Sequence, residues 1–162
     1  MNIGIVGAEA AKFTASGERE ARFLIRSILN AALIAAYEPV TLISGGCHLG
    51  GIDIWAEEEA DILNIGKRIH LPKTREWSTG YQPRNLLIAK DCEVIHNITV
   101  ARLPLGFDGM RFATCYHCDR RFRETEHRTE HHVKSGGCWT AYKAEQLGKI
   151  AYWSVVANVE GE

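Results

Sequence analysis

Four glycines within seven residues, Gly45-Gly46-Cys47-His48-Leu49-Gly50-Gly51, constrain this chain more than any other stretch. Ahead of them, Pro39-Val40-Thr41-Leu42-Ile43 is a short apolar, β-branched run that reads as a buried parallel strand. Behind them, Ile52, Trp55, Ala56, Ala60 and Leu63 recur at helical spacing, with Glu57, Glu58 and Glu59 beside the first turns of a helix over 54–64. Strand, glycine loop and helix in that order aim backbone N–H groups and a helix N-terminus at an anion, most often a phosphate. Glycine lets the backbone approach such a ligand closely and adopt positive φ. A plainer reading of the same run is a tight turn needed only for packing.

The rest of the chain repeats the alternation. Asn2-Ile3-Gly4-Ile5-Val6-Gly7-Ala8 predicts a first buried strand, followed by a loop of small residues from Glu9. Residues 17–36 predict a long helix whose buried stripe is formed by Phe23, Leu24, Ile28, Ala31, Ala32 and Ala35. Residues 68–71 predict a third strand stopped by Pro72. A polar surface loop over 73–82 then leads to a short helix over 83–90 with proline in its first turn. Residues 92–98 and 150–156 predict the fourth and fifth strands, with a helix over 139–147 before the last of them. The tail from Ala157 reads as frayed. Short alternating strands and helices specify a single α/β domain over 1–162, a Rossmann-like doubly wound parallel sheet. Ligands on such sheets sit at the carboxyl ends of the strands, near the switch in strand order. That edge gathers Gly7, Ala8 and Glu9, the loop from Gly45 to Gly51, and Gly136-Gly137.

Composition excludes some roles. Nineteen Lys and Arg against 20 Asp and Glu leave no bulk charge for a nucleic-acid or membrane surface. No secretory segment opens the chain and no stretch approaches a membrane span, so a cytoplasmic protein is expected. Five cysteines, two of them as Cys115-x2-Cys118 among histidines, favour a metal over disulfides in that setting.

Three loops together carry a family resemblance. Ser44-Gly45-Gly46, then Gly50-Gly51-Ile52-Asp53 and Ala56, resembles the "sGGa-GaD-xxA" loop of the SLOG superfamily. That Rossmann-like group contains the DNA-processing protein DprA and the LOG cytokinin-activating hydrolases. Arg84-Asn85-x-x-Ile88-Ala89 with Asp91 is similar to its "RNxxIAxxSD" segment, and Ser135-Gly136-Gly137-Cys138-Trp139-Thr140 with Ala144, Leu147, Gly148 and Lys149 to its last glycine loop and helix. The resemblance implies a bound nucleotide or nucleotide derivative, with phosphates on the Gly45-Gly46 and Gly136-Gly137 backbones, and a homo-oligomer. It also implies a hydroxyl from Thr140 and a guanidinium fork from Arg84 to a phosphate. Asp53 reads equally as a ligand contact or as a charge at its helix N-terminus. Two departures bear on activity: Trp139 replaces a glycine, and Lys143 stands where the hydrolase branch carries its glutamate. A lysine cannot act as that carboxylate, which argues against the same hydrolysis. The even charge balance argues against loading of single-stranded DNA.

Residues 103–134 interrupt the α/β pattern and hold Cys115, His117, Cys118, His127, His131 and His132, with Cys138 just beyond. Cys115 and Cys118 form a knuckle whose thiolates suit one zinc ion, and Cys138 with a histidine completes a structural Cys3His site. His132, which leads into the loop of Gly136, is preferred over His131 and His127. A closed site of this kind leaves no open position for water. A catalytic zinc with three protein ligands is the alternative. Binding of a nucleotide-like ligand is thus the leading expectation. A hydrolase acting on a nucleotide through Asp53, Glu9 or zinc-bound water is second, and a nucleic-acid interaction protein third.

Overall fold

The computed structural model describes residues 1–111 and 132–159. Five parallel strands form one sheet in the order β3-β2-β1-β4-β5, comprising β1 Asn2–Gly7, β2 Thr41–Ser44, β3 Gly66–Ile69, β4 Val94–Val100 and β5 Ile150–Val156. Among the described residues the helices are α1 Ala15–Ala35, α2 Ile52–Ile62, α3 Gln82–Asp91 and α4 Gly136–Gln146. The α/β, doubly wound reading of the sequence is therefore correct. None of these helices is long and apolar enough to cross a membrane.

Strand alternation sorts the core into two layers. Ile3 and Ile5 of β1 join Leu42 and Ile98 under α1 and α2, while Val6 joins Ile43 and Ile95 under α3 and α4. Ile5, Leu42, Ile43, Ile95 and Ile98 are completely buried, each stabilising the fold by about 1.5–3 kcal/mol. Strand order reverses between β1 and β4, so the chain leaves these neighbours in opposite directions and opens a crevice at their carboxyl ends.

Two expectations are corrected. The buried stripe of α1 is Gly17, Ala21, Ile25, Leu29 and Ala32, and Phe23 is 74% exposed. The helix is apolar on more than one side, so periodicity alone leaves its rotation open. Packing of Ala21, Ile25 and Leu29 into the core sets it, and ion pairs to α2 accompany it: Arg22 Nη1 donates to Glu58 at 2.6 Å and Arg26 Nε to Glu59 at 2.7 Å. The tail is not frayed at Asn158, which is 1% exposed. Its Nδ2 donates to the carbonyls of Lys12 and Arg102, each at 2.7 Å, and its Oδ1 accepts from the Thr14 amide at 3.1 Å. A short polar tail reads as loose, and only the tertiary partners reveal the anchor.

His96 of β4 stacks on Tyr152 of β5 with ring centroids 4.9 Å apart. Burial alone holds its pKa down to about 4, against 6.5 for a solvated imidazole. The native state therefore favours the neutral ring, and acidification from the unfolded value towards the folded one costs stability. Urea unfolding near pH 7 and about pH 4.5 should show wild type losing about 2 kcal/mol more than His96→Phe. Equal losses in the two proteins would refute this assignment.

Candidate functional site

A cavity of about 400 Å³ occupies the crevice between the carboxyl ends of β1 and β4. It is walled by the loop after β1, the glycine loop after β2, the segment around Trp77 and Tyr81, and the first turns of α3 and α4, with Met110 also in the lining. Of the residues expected at the ligand, Gly7, Ala8, Glu9, Gly50, Asp53, Arg84, Asn85, Gly136, Gly137 and Thr140 line it. Gly45, Gly46 and Gly51 are absent from the lining and shape it instead. Gly51 precedes α2 at φ 88° and ψ −148°, and a Cβ there would lie 2.4 Å from the Ala8 carbonyl oxygen. The glycine thus locks the β2 loop against the β1 loop.

Arg84 is buried in the cavity wall. Its Nη1 donates to Asp53 Oδ2 at 3.2 Å, its guanidinium lies over the Tyr81 ring, and it is 7% exposed. A Cβ on Gly45 would sit 1.4 Å from Nη1, so Gly45 is the floor on which the arginine rests. The Nε atom of Arg84 is buried without a hydrogen-bond partner among the described residues. An orphan donor of this kind costs about 1–3 kcal/mol unless something accepts from it. Asp53 opens α2, where the helix dipole favours a negative charge, and also accepts from the Cys47 amide. Burial nevertheless holds its carboxyl above the ordinary carboxylate range, against the opposing pull of Arg84. Its contact with Arg84 is what opposes that burial penalty.

Thr140 lines the cavity as expected of a site residue. Its hydroxyl donates to the Gly136 carbonyl at 3.1 Å, back along its own helix. Lys143, at the position of the hydrolase glutamate, lies outside the cavity lining, with Nζ donating to Gln146 at 2.8 Å and packed over the Trp139 ring.

Several lining residues escaped the sequence reading. Lys12 sits on a single 3-10 turn, Ala10–Lys12, is 2% exposed, and lies 3.7 Å from Glu9. Burial lowers its pKa despite the neighbouring carboxylate. The one signal in the sequence is a charged residue in a run of small ones. On the opposite wall Trp77 and Tyr81 belong to a π-helical turn, Trp77–Tyr81, where a surface loop was expected. Such turns recur at functional sites. Tyr81 also hydrogen bonds His48 at 3.1 Å, tying this wall to the glycine loop. Cys47 lines the cavity with its thiol pKa pushed up by burial, which disfavours a thiolate nucleophile.

Two of the expected zinc ligands are brought together. His132 and Cys138 are both buried, with Nε2 and Sγ 4.0 Å apart. Asn97 Nδ2 and the Ser135 hydroxyl each lie 3.6 Å from the same sulfur. Cys115, Cys118, His127 and His131 lie outside the described residues. Among the described residues no group of three or more metal-capable side chains assembles.

None of the known family models matches the chain, and no match was found among curated proteins or among solved structures.

Proposed function

We propose that this protein binds a nucleotide or nucleotide-derived phosphate in the cavity between β1 and β4, as a SLOG-type binding module. The observation that carries the reading is the cavity itself, which lies at the reversal of strand order and joins three of the glycine segments. The buried Arg84 Nε, which has no hydrogen-bond partner among the described residues, supports the reading as a donor that a phosphate oxygen could satisfy. Trp77 and Tyr81 offer flat apolar faces on which a base can stack. Binding rather than turnover is favoured because the hydrolase carboxylate position is Lys143, outside the cavity. Glu9 and Asp53 are each committed to a cation, Lys12 and Arg84 respectively. The proposal includes a cytoplasmic setting and a homo-oligomer, for which Phe23, Ile34 and Leu87 supply exposed apolar surface.

A structural zinc belongs to the same proposal. His132 and Cys138, already adjacent, would hold the ion with Cys115 and Cys118, and the metal would cross-link the inserted segment to the first turn of α4. The alternative, a zinc with an open position for catalysis, gains no support from a buried pair packed against Asn97 and Ser135.

Native mass spectrometry of the full chain purified without chelator tests both halves. The expected spectrum carries one zinc per chain and retains or saturably takes up a nucleoside monophosphate. Zinc-free folded protein in a metal-replete preparation overturns the metal half. Failure to bind any of the common nucleoside mono-, di- and triphosphates overturns the other.

A further inference from the structure

The two edges of the sheet are built differently. β3, at one edge, is four residues long and carries Lys67 and Arg68. Shortness and charge are how edge strands avoid pairing with other chains. β5, at the other edge, is seven residues long, and no charged residue or proline occurs from Ile150 to Val159. Ile150, Tyr152 and Val155 expose large apolar side chains on its two faces. In a parallel ladder one residue's N–H and C=O point to the same neighbour. The Val156 carbonyl accepts from the Ala101 amide at 2.9 Å, so Ile150, Tyr152, Ser154 and Val156 turn their backbone groups towards β4. By the same alternation Ala151 and Val155 turn theirs outwards, where no sixth strand meets them among the described residues.

We propose that β5 pairs antiparallel with β5 of a second copy, joining two five-stranded sheets into one across a two-fold axis. This rests on the homo-oligomer part of the reading above and names its surface. A row of outward backbone donors and acceptors calls for a strand as its partner. Because β5 is uncharged, two copies of it meet without like-charge repulsion and without burying an unpaired charge, whereas a charged strand would be desolvated there for nothing in return. Among the described residues the other edge is β3, which is short and cationic. Pairing β5 with β3 of another copy is head-to-tail and open-ended, while β5 on β5 closes after two chains. With the strands in full overlap, Ile150 of one copy faces Val156 of the other and Tyr152 faces Ser154. Ala151 then stands opposite Val155, and the two exchange hydrogen bonds through groups that the ladder to β4 leaves over.

Gel filtration with light scattering of the full chain, loaded at micromolar concentration, tests this. Wild type should run at the mass of two chains. Val155→Pro deletes an N–H that the ladder to β4 does not use, and Val155→Lys places an ammonium on the shared edge. Each should be a folded monomer, with the dimer Kd raised by about 100-fold or more because the two-fold axis counts every loss twice. Val155→Thr keeps the donor and the β-branched shape and should remain dimeric. Where circular dichroism shows Val155→Pro to be unfolded, Val155→Lys decides. In wild type itself, the Ala151 and Val155 amides should exchange hydrogen more slowly in concentrated than in dilute protein, and equal rates overturn the pairing. A folded Val155→Lys protein that stays dimeric also overturns it, and dissociation by Phe23→Lys or Leu87→Lys would then leave a homo-oligomer built on helical surfaces. Assemblies larger than two chains overturn the closed two-fold. A monomeric wild type overturns both the pairing and the homo-oligomer.

Discussion

Arg84→Met should destabilise the protein by about 3–5 kcal/mol, the usual cost of stranding one partner of a buried ion pair. Asp53 is buried at the start of α2, and Arg84 is the cation within hydrogen-bond reach of its carboxylate. Burial already holds the Asp53 carboxyl above its ordinary range with the arginine present. A carboxyl whose folded pKa is raised adds stability when protonated and loses it as pH rises through the folded value. Without Arg84 that penalty grows, so the deficit of the variant should narrow as pH is lowered. Asp53→Asn in the same chain should recover most of the loss, because the pair is then replaced by groups that carry no net charge. Urea unfolding of wild type, both single variants and the double variant, at neutral and mildly acidic pH, measures all three effects. A loss below about 1 kcal/mol, or an absence of rescue, would show that the pair is as dispensable as a surface salt bridge.

The second large effect concerns neighbouring glycines that behave oppositely. Gly136 and Gly137 open α4, and alanine in a helix is ordinarily worth up to about 1 kcal/mol over glycine. At Gly136 the nearest atom to an added Cβ is Asn85 Nδ2 at 3.9 Å, so Gly136→Ala should be neutral or mildly stabilising. At Gly137 the same Cβ would lie 2.4 Å from Asn97 Oδ1 and 2.6 and 2.7 Å from the N and Cα of Gly7. Backbone on the far side cannot swing away, so α4 itself must lift from the sheet. Gly137→Ala should therefore cost about 3 kcal/mol or more and abolish ligand binding. Thermal or urea melts of the two variants side by side provide the check. Similar stabilities would mean that α4 does not press on β1 as described.

Much of this architecture is legible in the residues because buried parallel strands are continuous apolar runs. Ile150–Val156 is found with the bounds its sequence suggests, and the other strands within a few residues of theirs. The glycine loops are legible for a related reason, since four glycines in so short a span have few other uses. What is not legible is everything decided by contact between distant segments. The rotation of α1 depends on how its buried stripe packs on α2 and the sheet, where its arginines also meet Glu58 and Glu59 more than thirty residues away. Arg84 reads in the sequence as a fork for a phosphate, and its enclosure by Asp53 and Gly45 shows only in three dimensions. Lys12 carries no motif, and its place in the cavity lining comes from where the 3-10 turn and Asn158 put it. The hydroxyl of Thr140 has a partner within its own helix, an outcome that residue type does not foretell.

The clamp at Asn158 bears on how the protein matures. Asn158 lies 146 residues after Lys12, whose carbonyl it holds, and it also seats the cap of α1 through Thr14. During synthesis from the N-terminus, β1, β2 and β3 emerge early and can begin to pair, but the turn bearing Lys12 gains its Asn158 clamp only once residue 158 has emerged. The sheet can form before the pocket floor is secured. The turn beside the cavity is thereby secured only after the sheet that carries it, so a chain cut before Asn158 keeps strands without that anchor.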